Sequence, residues 1–108
     1  MNALAPLFHL TTESAWTAAG HEYRPASLGT EGFIHLSTDV QWRLTAARFF
    51  RGQRGLVLLE IDRAAIEPAL RFERADGDDF PHLYAALPRS AVRSVTPLEV
   101  DGLGNVVV

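Results

Sequence analysis

Three of the four histidines in this chain sit in one recurring setting. His9 follows Leu7-Phe8, His35 follows Phe33-Ile34, and His82 follows Phe80-Pro81; each has a leucine directly after it. Thr11, Ser37 and Tyr84 stand two residues further on. In extended chain, positions two apart share a face. Each segment therefore presents an imidazole and a hydroxyl together on one side of an apolar run. Burying an imidazole costs free energy unless its ring nitrogens find partners. Uncharged hydrogen-bonding groups in apolar surroundings are what a small-molecule or nucleotide cleft is lined with. A single strand histidine is more often a hydrogen-bonded structural residue, so the inference rests on all three converging. His21, in a polar stretch, reads as solvated.

Several other chemistries are weaker. A three-histidine metal site supporting a metal-assisted hydrolase would leave zinc an open position. The chain has no local His-x-x-x-His or Glu-x-x-His pair to favour it, so no metal is expected. There is no phosphate loop, Rossmann glycine fingerprint or nucleophile elbow. The Asp76-Asp78-Asp79 cluster lacks the closing glutamate of a calcium loop and reads as a solvated turn. All ten basic residues are arginine, so lysine-based covalent chemistry is absent. Arg48 and Arg51 suit a helix C-terminus, whereas Arg43 is the better candidate for a ligand phosphate. Among the carboxylates, Glu60 interrupts the most apolar run and is expected to be buried and paired.

The elements that must position these groups follow from pattern. Residues 7–11 read as a strand. Thr12 is an N-cap for a short helix over 13–19 anchored by Trp16. Residues 21–28 read as a loop, with Tyr23 over a pocket mouth. Residues 32–37 form a second strand. Thr38 and Gln41 have capping-box spacing, and a helix runs from there to about Phe50. Residues 56–61 are continuously apolar apart from Glu60, as a central strand buried on both faces would be. A turn with one helical turn follows over 62–66, then a half-exposed strand over 70–73 and a turn over 76–79. Pro81 assigns 80–84 to an edge strand or loop. Residues 92–100 read as a strand interrupted by Pro97, and a loose hairpin turn leads to Val106-Val107-Val108, read as a final core strand. Short strands with two or three helices in irregular order make an α+β domain.

The chain has 108 residues, 47% of them hydrophobic, which is enough for one core and one domain over 1–108. There is no cysteine, which is compatible with a reducing cytoplasm. No run approaches the roughly 20 apolar residues of a membrane helix, and residues 1–10 lack the basic start of a signal peptide. The net charge of −3 argues against extended nucleic acid as a partner. It leaves open a small anionic ligand held by one or two arginines.

Taken together, Phe8-His9-Leu10-Thr11, Trp16, Ser27-Leu28, the stretch from Glu31 through Ser37, Gln41, Arg48-Phe49-Phe50, Ile61-Asp62 and Phe80-Pro81-His82-Leu83-Tyr84 resemble a small bacterial family known as domain-of-unknown-function family 952. The resemblance spans residues 7–98. It departs at Leu36, where that family usually has cysteine, and at Ala85, where it has glycine. The family's fold is similar to that of ADP-ribosyltransferases, a split mixed or antiparallel sheet that holds NAD between its halves. The resemblance thus implies an NAD- or nucleotide-binding protein that transfers or processes an ADP-ribose-type group, with NAD as substrate. In that reading His35 and His82 are the candidate catalytic groups. His9, Thr11, Gly32, Phe33, Ser37, Arg43, Phe50 and Tyr84 are the candidate ligand contacts. The acceptor-activating glutamate of many such transferases has no clear counterpart, Glu73 being one candidate. A ligand-binding module without catalysis is the alternative.

Overall fold

In this computed structural model, which describes residues 5–108, the continuous apolar run becomes the centre of the fold. Strand β4 (Leu56–Ile61) lies between β1 (Leu7–Thr12) and β8 (Val92–Val100), antiparallel to both. A short β9 (Val106–Val107) extends the sheet beyond β8. Alternate β4 side chains feed two cores. Val57, Leu59 and Ile61 face one cluster with Leu7, Trp16, Tyr23, Ile34 and Leu83. Leu56 and Leu58 face the other, with Leu10, Trp42, Ala46, Leu98 and Val100. Both faces are thus covered, which is why the run does not alternate. Glu60 is only half-buried, and Ser94 donates it a long hydroxyl hydrogen bond of 3.4 Å.

The second core holds α3 (Trp42–Phe49) against the sheet through Trp42 and Ala46. Gln41 accepts a hydrogen bond from the Thr38 backbone N–H, which is one half of the expected capping box. The Thr38 hydroxyl makes no reciprocal bond, and regular helix starts only at Trp42. On the other face, α1 (Glu13–Ala18) inserts Trp16, and Thr12 caps it by accepting from the Ala15 N–H at 3.1 Å. Arg89 lies over the Trp16 ring and donates to the carbonyls of Trp16 and Ala19 at the end of that helix. Thr12→Ala should cost about 1 kcal/mol, because a six-residue helix loses its one side-chain cap. Urea unfolding at constant slope checks this.

The stretch expected to be a loop holds two elements. Strand β2 (Glu22–Tyr23) pairs with β7 (Leu87–Pro88), and α2 (Ala26–Thr30) follows. Both are too short to show a period. Tyr23 is 3% exposed and lies inside the first core, not over a pocket mouth. Beyond β4, α4 (Arg63–Ile66) is the expected single helical turn, giving four α-helices among the described residues where two or three were expected.

A second antiparallel sheet has the order β3 (Ile34–His35), β6 (Asp78–Leu83), β5 (Leu70–Ala75). Strand β6 is therefore central, contrary to the edge position that Pro81 suggested. The missing N–H is harmless here. Pro81 accepts from the Leu36 N–H at 3.0 Å, where the chain leaves β6 for β1. There Phe8 and Ser37 exchange two backbone hydrogen bonds of 2.7 and 2.8 Å, joining the two sheets by one bridge. Pro97 pairs with Val57 on β4 only, since β9 reaches no further than Glu99. Val107 and Val108 are exposed and only Val106 packs against the second core, so the C-terminal valines make a short edge strand with one core-facing residue. The fold is α+β with curled antiparallel sheets. Among the described residues, no helix is long and apolar enough to cross a membrane. The first four residues of the segment read for a signal peptide lie outside the described region.

Candidate functional site

The bridge at Phe8 and Ser37 brings three separated strands to one hollow. His9, His35 and His82 all line a cleft of about 630 Å³, together with Phe33, Ser37 and Phe50. Thr45, Phe49, Phe80, Glu31, Arg74 and Asp76 are also part of the wall. His35 and His82 are direct cross-strand neighbours on β3 and β6, so both rings project from the same face. Their centroids are 5.6 Å apart. Phe33 stacks on His82 at 4.0 Å and 19° and meets His35 edge-on.

The three rings differ in their partners. His9 is held at both nitrogens: Nδ1 lies 2.7 Å from the His35 carbonyl, and Nε2 lies 2.9 Å from the Tyr23 hydroxyl. A carbonyl only accepts, so Nδ1 carries the proton and Nε2 is the acceptor. The Tyr23 hydroxyl is also 2.9 Å from Thr11 Oγ1, so its single hydrogen has two acceptors in reach. Burial lowers the His9 pKa to about 4, outweighing the hydrogen bond to the His35 carbonyl, and the ring is neutral at pH 7. Burial likewise raises the Tyr23 phenol above its usual value.

His35 is exposed, and its Nε2 pairs with Glu31 at 3.0 Å. His82 is 5% exposed, and its Nδ1 lies 2.8 Å from Glu73 Oε1. The Tyr84 hydroxyl donates to the same oxygen at 2.5 Å. These two bonds, Tyr84 first, hold the Glu73 carboxyl below its usual pKa. An ionised Glu73 only accepts, so Nδ1 of His82 carries a proton, and in the neutral ring Nε2 is the nitrogen without one.

The other expected contacts fall outside the cleft wall. Thr11 belongs to the His9–Tyr23 chain behind it. Tyr84 packs against Phe33 beside it. Gly32, at φ 89°, ends α2 and turns the chain into β3. Arg43 lies over the Trp42 ring at 4.3 Å and does not line the cleft, and Arg74 is the arginine that reaches it. A metal site on the three imidazoles is not formed, because both nitrogens of His9 are already engaged. Among the described residues no group of three metal-binding side chains comes together.

Against known proteins, the model for a family described only as "Protein of unknown function (DUF952)" matches residues 10–95. The chain belongs to that family. It is similar to the crystal structure of protein CC0527 from Caulobacter crescentus, with TM-score 0.86 and 34% identity over 95% of this chain and 94% of that one. The solution structure of the same Caulobacter protein gives TM-score 0.79 and 35% identity over 93% and 90% of the two chains. No curated protein matches.

Proposed function

We propose that the cleft binds an NAD- or ADP-ribose-type nucleotide and that the protein transfers or processes an ADP-ribose-type group. The observation that carries this reading is the opening of His9, His35, His82 and Ser37 onto one hollow. Phe49, Phe50 and Phe80 offer apolar rings for a base to stack on. Ser37 and Thr45, 3.1 Å apart, offer hydroxyls to a ribose, and Arg74 offers a guanidinium to phosphate. The bridged pair of sheets around the cleft supports an ADP-ribosylation-like arrangement as the finer reading of the fold.

Calorimetric titration with NAD and with ADP-ribose tests it. The wild type should bind one of the two, and His35→Ala should bind it at least about tenfold more weakly, the equivalent of roughly 1.4 kcal/mol. Absence of binding by the wild type to both rejects the reading. A module that binds without turnover is the second reading. It is favoured by Glu73, whose Oε1 is already shared by His82 and Tyr84 and does not stand free to activate an acceptor.

A further inference from the structure

We infer that His82 is the general base of this cleft and that Glu73 is its positioning residue, the pair directing a water molecule onto the N-glycosidic bond of bound NAD. The inference rests on the nucleotide reading above and adds the group that moves the proton. A free carboxylate is the simplest base for such a step, but Asp76, at the cleft, is exposed on the turn between β5 and β6, and the other two carboxylates sit beside imidazoles. Glu31 Oε2 pairs with His35, and Glu73 Oε1 is shared by His82 and Tyr84. What the cleft does offer is an enclosed imidazole with one nitrogen fixed. His82 Nδ1 donates to Glu73 Oε1, which fixes the tautomer of the neutral ring and leaves Nε2 unpartnered among the described residues. Phe33, stacked on the ring at 4.0 Å, holds its plane.

The register explains how the sequence builds this. Arg71 is paired with His82 and Glu73 with Phe80, so residues 71 and 73 share a face with residues 80 and 82. Glu73 therefore reaches His82 diagonally across the strand pair. Tyr84, two residues beyond His82, lies on the same face and binds the same carboxylate oxygen. Its hydroxyl gives Glu73 a second anchor, and the Arg71 guanidinium lies 5.2 Å over the Tyr84 ring.

The step balances with water alone. The water oxygen forms a bond to the anomeric carbon while the bond from that carbon to the nicotinamide nitrogen breaks. The bonding electron pair stays on that nitrogen, so nicotinamide leaves neutral and needs no proton from the protein. The water proton passes to His82 Nε2 and then to solvent. One base suffices, and of the two carboxylate–imidazole pairs at the cleft only Glu73–His82 has its imidazole enclosed, His35 being exposed.

The test separates binding from turnover. NAD binding is measured by calorimetry, and nicotinamide release by chromatography, on wild type, His82→Ala and Glu73→Gln. Wild-type release should fall at least about 100-fold in His82→Ala and be partly restored by added imidazole. In Glu73→Gln, kcat should fall about tenfold with KM nearly unchanged. Since His82 is enclosed, the half-exposed Glu73 site carries the test if His82→Ala does not fold. NAD binding without any nicotinamide release overturns the inference while leaving the nucleotide reading intact. So does release that both variants leave unchanged. No binding at all removes both.

Discussion

Replacing Tyr23 with alanine is expected to lower stability by about 4 kcal/mol, and replacing it with phenylalanine by about 1–2 kcal/mol. The two figures separate what the ring does from what the hydroxyl does. The ring is 3% exposed and packs edge-on against Trp16 at 5.8 Å and His9 at 5.3 Å, so truncation opens a cavity where α1 meets the sheet. The hydroxyl is the partner of His9 Nε2 and Thr11 Oγ1. Without it, two half-buried polar groups on β1 have no protein partner, and the cost is the penalty for leaving them unpaired. Denaturant midpoints at constant slope give both numbers. A phenylalanine variant as stable as the parent would show that the His9–Tyr23–Thr11 chain contributes nothing to the fold.

That chain shows where the sequence is readable and where it is not. Same-face placement of His9 with Thr11 follows from strand period alone, and so does the double-sided burial of β4. The partner that joins His9 to Thr11 sits on β2, a two-residue strand inside a stretch with no periodic pattern. A strand that short exists only because β7 pairs with it, and nothing local announces that pairing. Convergence of the three imidazoles depends in the same way on the single Phe8–Ser37 bridge, a contact 29 residues apart in sequence. The Glu73–His82 contact is a different case, because its signal was present. Asp76 and Gly77, both at positive φ, form a two-residue hairpin turn between Ala75 and Asp78. Read as Asp-Gly between two strands, the pair fixes the register and sets Glu73 beside His82. Reading four residues, 76–79, as the turn loses that register. Arg43 lies off the cleft for a plainer reason: sequence does not say which way an arginine at a helix start points, and only packing decides which guanidinium meets a cleft.

Acidification should weaken the fold before its carboxylates titrate, and His9 is the cause. Its folded pKa is about 4, against an ordinary value of 6.5. The unfolded chain therefore binds the extra proton first, and stability rises with pH wherever the unfolded state holds more protons. The sign follows directly. Stability is fully present above pH 6.5, falls as the pH drops toward 4, and loses nothing more to this group below that. The span of about 2.5 units corresponds to an upper figure of about 3 kcal/mol. The physical source is geometric. Protonation would put a second N–H on Nε2, opposite a hydroxyl hydrogen shared with Thr11, in surroundings that hydrate the charge poorly. His35 opposes it as well, because its own positive charge would face the ring. The depressed carboxyls of Glu73, Asp78 and Asp101 work with the same sign, but only below their ordinary values of 4.5, 3.8 and 3.8. The window from pH 6.5 to 4.5 thus isolates His9 from them. Urea midpoints at half-unit steps across it should slope in the wild type and be nearly flat in His9→Gln, whose amide keeps a donor and an acceptor without titrating. An equal slope in both proteins would place the proton uptake on another group and remove His9 from the account.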